Sequence, residues 1–137
     1  MNDTGRSPLL LCLDLESGSA RLANWAAGMA RRCELPVHLL YVSPGHLSPG
    51  KRLQLEARLR RVVEAPFRDI EIAEISLREG IAEEVIVEHA RNIDAHMILL
   101  GRRQRSAVER IYVGSTTSAV ISLARRPVLV IPVSGLS

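Results

Sequence analysis

A strand buried on both faces has no polar side, and the run Pro8-Leu-Leu-Leu-Cys-Leu-Asp14 shows none before its last residue. A turn cluster, Glu16-Ser-Gly-Ser19, follows it. The same unalternating character returns in Val37-His-Leu-Leu-Tyr-Val42, Met97-Ile-Leu-Leu-Gly101 and Pro127-Val-Leu-Val-Ile-Pro-Val133. A further strand at residues 70–77 sets Ile70, Ile72 and Ile75 among acidic residues with imperfect alternation, which suits a sheet edge. The segments between these runs repeat their apolar residues at helical spacing. Leu22, Ala23, Ala26, Met29 and Ala30 mark a first helix, with Ser17 or Ser19 as its cap and Gly28 as a helix defect or close-packing position. Residues 49–64 place Leu53, Leu55, Leu59, Val62 and Val63 on one side, and Pro66 stops that helix. Gly80 opens a third, with Ile81, Val85, Ile86, His89 and Ala90 as its buried stripe, and residues 115–124 form a fourth. Strict β-α-β-α-β-α-β-α-β order predicts one α/β domain, its core at about residues 7–133. The fold expected is a five-stranded parallel sheet, doubly wound, a Rossmann-like open sandwich. Ligands of such sheets bind beyond the carboxyl ends of the strands where strand order reverses, which points at Asp14, Val42 and Gly101.

Composition removes several classes of function. The chain is 47% hydrophobic and 24% charged, hence globular, and no apolar run reaches the ~18 residues of a membrane span. Residues 1–7 are polar, without the apolar core of a signal peptide, so the expected location is the cytoplasm. Cys12 and Cys33 lie inside apolar elements without metal-ligand spacing and read as small hydrophobes in a reducing compartment. His38, His46, His89 and His96 are scattered, so no metal site is expected. The net charge of +3 is spread along the chain, almost all of it arginine, and the four aromatics offer no stacking platform. Nucleic acid is therefore not an expected partner.

Chemistry concentrates between Leu100 and Thr117. A glycine ends a buried strand, an arginine-rich loop follows (Arg102, Arg103, Arg105), and Gly114-Ser-Thr-Thr117 opens a helix. Backbone N–H groups at a helix start, joined by hydroxyls, make an anion site, and a glycine there admits a phosphate to the backbone. The bland alternative keeps Gly101 and Gly114 as turn residues, Ser115 as a cap and the arginines in water.

On these residues the chain resembles the universal stress protein family, from Ser7 to Val133. The nucleotide-binding members of that family carry G-x2-G-x9-G-[ST] after the fourth strand. This chain has Gly101, Gln104 and Gly114-Ser115 at that spacing, with glutamine at the second glycine. Asp14 at the end of the first strand, the serine-rich start of the first helix and the Pro-Val-Leu-Val-Ile-Pro-Val ending also fit. His96 stands where the family often has an aspartate. The resemblance implies ATP or another adenine nucleotide, with or without Mg²⁺. By position, Cys12, Leu13 and Asp14 would flank base and ribose, and the Val42 backbone would meet the adenine edge. Leu100, Gly101 and Arg103 would line the ribose and first phosphates, and Gly114, Ser115, Thr116 and Thr117 would hold the phosphate tail. Gln104 either obstructs that tail or donates its amide to it. The resemblance also implies a homodimer through the last strand, with Val128, Leu129, Val130, Ile131 and Val133 at the interface.

No catalytic constellation is evident: there is no GxSxG, no GxxxxGK[ST] and no GxGxxG after the first strand. Asp94 and Glu109 stand alone and read as solvated carboxylates rather than Mg²⁺ ligands. A phospho-receiver would need an aspartate after the third strand and a lysine after the fifth, but Lys51 is the only lysine. A flavodoxin-like carrier would need aromatics to sandwich a flavin. Two readings remain. One is a dimeric adenine-nucleotide-binding regulator of the bacterial stress response. The other is a nucleotide-independent interaction or scaffold module, and Gln104 divides them.

Overall fold

The computed structural model describes residues 6–103 and 114–134. Along them alternate β1 (Leu9–Cys12), α1 (Ser19–Cys33), β2 (Val37–Ser43), α2 (Pro49–Glu64), β3 (Ile72–Glu79), α3 (Ala82–Asn92), β4 (Met97–Arg103), α4 (Ser115–Leu123) and β5 (Val128–Ser134). The strands form one sheet in the order β3-β2-β1-β4-β5, every pairing parallel. Strand order reverses between β1 and β4, and β3 and β5 are the edges, β3 as its imperfect alternation predicted.

Consecutive hydrophobic residues supply both faces of the sheet. Leu9, Leu11, Leu39 and Leu99 point to the layer of α1 and α2, while Leu10, Leu40, Ile98 and Leu100 point to that of α3 and α4. Each fully buried leucine contributes about 1.5–3 kcal/mol relative to exposure. α1 turns Leu22, Ala23, Ala26 and Ala30 inward and ends at Glu34, which takes the left-handed φ of 55°. Arg31, in its last turn, donates to both oxygens of Asp69 and to the Pro66 carbonyl, tying α1 to the segment before β3.

Several expectations from spacing are corrected. Leu53 and Ile81 do not join their stripes: both are exposed, because Leu53, two residues before Leu55, lies about 200° round the helix from the buried Leu55-Leu59-Val63 row and Ile81 is the N-cap of α3. Gly28 is no close-packing point, since a Cβ there would meet nothing within 4 Å. The imperfect alternation of β3 comes from a register shift: Val37 pairs with Ile72 but His38 with Glu74, so the strand skips a residue. That slip sends Ile72 and Ile75, three apart, to the same core.

Candidate functional site

The carboxyl ends of β1, β2 and β4 open into a cavity of about 650 Å³, within the range of small-molecule sites. Cys12, Leu13 and Asp14 reach it from the end of β1, Val42 from β2, and Leu100, Gly101 and Arg102 from β4. Gly114, Thr116 and Thr117 enter from the start of α4. Ser115 does not line it. Arg103 lies at the end of β4 and its side chain is not among those described, while Gln104, Arg105 and Glu109 lie outside the described residues. Asp94 is remote: it precedes β4, at the amino end of the sheet, accepting from Ser7 and facing Arg126, so it is no ligand for an ion in this cavity.

The β1–α1 connection is shaped by two left-handed residues, Leu15 (φ 61°) and Gly18 (φ 97°). Asp14 Oδ1 accepts from the Glu16 N–H at 2.9 Å and faces the Ser19 hydroxyl at 3.5 Å, which fixes the carboxylate at the cavity rim. Neither Ser17 nor Ser19 caps α1. Gly18 is the N-cap, without a side-chain bond, because its backbone angle favours glycine and a Cβ would come within 2.9 Å of Val133. Gly101 is likewise not a turn residue. It lies inside β4, where a Cβ would press on Leu22 and Val133 at 3.1 Å. The register shift at the end of β5 accompanies this fit, with Arg102 opposite Pro132 and Arg103 opposite Ser134.

The cavity has two chemically distinct ends. Leu40, Val42, Ala82, Ile86 and Leu100 form an apolar wall. Opposite, Ser17, Gly18 and Ser19 begin α1 and Gly114, Thr116 and Thr117 begin α4. Both helices start at a glycine with no side-chain cap and have no acidic residue in the first turn. Their positive dipole ends therefore border the cavity, with the Asp14 carboxylate beside the start of α1. Arg102 adds positive charge beside them. Burial pushes the Cys12 thiol pKa up, so that this wall residue stays neutral.

Sequence reasoning missed Leu40, Ala82 and Ile86 as lining residues, as it did Ser17, Gly18, Ser19, Leu22 and Val133, together with the Gly18–Val133 contact; Arg102, expected in the arginine-rich loop, lies within β4. Leu40 was findable, two positions before Val42 and hence on the same strand face. Ala82 and Ile86 were visible only as helix core, since nothing local says that the first turns of α3 border a crevice.

The universal stress protein family model matches residues 5–132. The chain is 26% identical over 121 residues to universal stress protein Slr1230 of Synechocystis sp., covering 88% of this chain and 41% of that protein. It thus spans about two fifths of the length of that curated relative. The universal stress protein of Archaeoglobus fulgidus superposes with a TM-score of 0.76 at 27% identity, covering 92% of this chain and 98% of the other. The structure of that protein in complex with dAMP gives 0.72 at 25% identity, with the same coverage. With its order of elements, its crevice between β1 and β4 and this match along nearly its whole length, the chain belongs to the universal stress protein family.

Proposed function

We propose that the chain is a homodimeric, adenine-nucleotide-binding regulatory protein of the bacterial stress response, with ATP as the ligand. The observation that carries this reading is the two-ended crevice: an apolar wall for a base, and two uncapped helix N-termini converging on the place of a phosphate chain. The dAMP complex of the Archaeoglobus relative supports the choice of an adenine nucleotide. Asp14, held at the rim, suits ribose hydroxyls, to which a carboxylate accepts. Mg²⁺ would enter with the phosphates. Among the described residues no group of three or more His, Cys, Asp or Glu is placed to hold an ion.

The reading is of binding rather than turnover. Among its described lining residues the crevice carries one carboxylate and one guanidinium, and no histidine to serve as base. The dimer would form along β5, an edge strand that pairs only with β4. Ile131 and Val133 are already buried in the protomer's own core, so pairing would use the strand's backbone, with Val130 and the exposed Ile121 and Leu123 of neighbouring α4 around it. No helix among the described residues is long and apolar enough to cross a membrane. The cytoplasm is the compartment proposed.

The test is to purify the protein without added ligand, denature it, and resolve released nucleotides by anion exchange. Calorimetric titration of the stripped protein with ATP and Mg²⁺ follows. Adenine nucleotide in the supernatant, or saturable binding at physiological ATP, is the expected result. No heat and no thermal shift at millimolar ATP would overturn it. The nucleotide-independent interaction module would then be the better reading, and Gln104 at the second glycine is the feature that favours it. Sedimentation velocity checks the dimer separately.

A further inference from the structure

His38 on β2 and His89 on α3 are buried against each other, their Nε2 atoms 2.9 Å apart and their rings edge to face. Arg78 on β3 brings an N–H to His89 Nδ1 at 3.4 Å. Assigned from that partner, neutral His89 carries its proton on Nε2 and donates it to the lone pair of His38 Nε2. The Ser76 hydroxyl lies 3.0 Å from the same nitrogen and donates to Glu74. The bond across the β2–α3 interface therefore needs His38 neutral at Nε2, and a proton added to His89 Nδ1 would leave that bond in place but turn an N–H against the Arg78 guanidinium. A proton added to His38 Nε2 sets N–H against N–H. If His89 shifts its own proton to Nδ1 to escape this, N–H faces the Arg78 guanidinium instead. Among the described residues the carboxylate near His38 is the exposed Glu74, at 4.0 Å, and Arg78 also pairs with Glu88, beside His89.

The pair lies beneath the crevice. His38 and Leu40 share a face of β2, His89 and Ile86 share a face of α3, and Leu40 and Ile86 belong to the apolar wall. We propose that His38 and His89 form a proton-operated latch that holds α3 on β2 at neutral pH and releases the α3 wall of the crevice in acid, weakening nucleotide binding. The consequence for the ligand rests on the nucleotide reading above; the latch itself does not.

Burial lowers both histidines from the ordinary value of 6.5, His89 to about 4, and for His89 the His38 and Arg78 charges add to burial while Glu74 and Glu88 oppose it. For a base with a depressed folded pKa, the closed form is fully favoured above the ordinary value. That preference is lost as the pH falls from 6.5 towards the folded value.

The test is hydrogen exchange of the α3 amides, corrected for intrinsic rates, at about pH 7.5 and about pH 5. The opening constant is expected to rise about 30-fold over that interval from His89 alone, titrating normally once released, and further with His38. H38Q/H89Q keeps a donor and an acceptor at each position but cannot titrate, and its opening constant is expected to stay flat. In parallel, the ratio of ATP affinities at the two pH values is compared between wild type and variant, so that the ligand's own protonation cancels. The wild type is expected to lose more affinity in acid. Equal pH dependence of exchange in both proteins, or none in wild type, overturns the latch. A latch seen in exchange beside identical affinity ratios overturns its control of the site. A latch seen in exchange beside no ATP binding at either pH supports the latch and removes the nucleotide reading alone. If the double variant does not fold, H38Q and H89Q singly are each expected to remove part of the pH dependence, and H89Q the part that belongs to His89. Imidazole resonances of the wild type, followed by NMR, are expected to titrate below the ordinary range, and a pair titrating at its ordinary value overturns the proposal.

Discussion

Helices α2 and α4 begin in opposite ways. α2 starts on Ser48, whose hydroxyl accepts from the Lys51 N–H at 3.2 Å, followed by Pro49 at the first helical position. α4 starts on Gly114, which offers no side-chain cap, and has no acidic residue in its first turn. Of the remaining two, α3 starts on Ile81 without a side-chain cap but carries Glu83 and Glu84 in its first turn, whereas α1 starts on Gly18 with neither. Glycine in place of a polar cap costs a helix about 0.3 kcal/mol. The two helices with neither a side-chain cap nor an acid in the first turn are the two whose starts form the polar end of the crevice. Stability is conceded where a ligand anion would restore it.

The two bare glycines are not alike, and the largest predicted effect separates them. Gly18 is required by the fold, at φ 97° and with Val133 where its Cβ would go. Gly18→Ala is expected to lower stability by about 2–4 kcal/mol, read from the midpoint of chemical denaturation. A loss below about 0.5 kcal/mol would mean that α1 and β5 part easily at this corner. Gly114 has an ordinary φ of −59°, and none of the described residues comes within 4 Å of its Cβ position. The fold does not demand glycine there. Gly114→Asp supplies the absent cap and a negative charge together. It is expected to weaken ATP binding about 30-fold or more while raising stability by about 0.5–1 kcal/mol. Calorimetry and thermal melting read the two effects on one sample. Unchanged affinity would place the phosphates away from α4. Ser48→Ala is the control on the other side of the comparison: a loss of about 1 kcal/mol in stability, with ATP affinity unchanged. A change in affinity there would show that helix capping acts on the crevice through the fold as a whole.

The parallel sheet was readable because the apolar runs have no polar side, which only a sheet covered on both faces tolerates, and the weaker alternation at residues 70–77 marked an edge. The crevice residues carried on strand ends, Asp14, Val42 and Gly101, were readable from the same architecture. Gly18 was not. Its role depends on Val133, at the far end of the chain, and no local pattern pairs a residue of the first turn with one of the last strand. The His38–His89 contact was hidden in a similar way. Each histidine sits within its own apolar stripe, and only the stacking of α3 on β2 brings the two nitrogens together. Contacts made across layers are where sequence spacing stops informing.

The smallest effect expected bears on the phosphate end itself. The family's spacing puts glycine at the position that Gln104 holds, between Gly101 and Gly114. A glycine there permits backbone angles and close approach that a side chain resists, whereas a glutamine amide can donate one hydrogen bond to a phosphate oxygen. The bare start of α4 and that of α1 already present several N–H groups to the same place, so one further donor adds little and an obstructing side chain subtracts more. Gln104→Gly is therefore expected to tighten ATP binding about threefold, roughly 0.7 kcal/mol, by calorimetric titration. Weaker binding in that variant would make Gln104 a phosphate donor that replaces the missing glycine. An unchanged constant would place the phosphate chain against the helix starts alone, and would locate the affinity of this chain in the uncapped ends of α1 and α4 rather than in the loop before them.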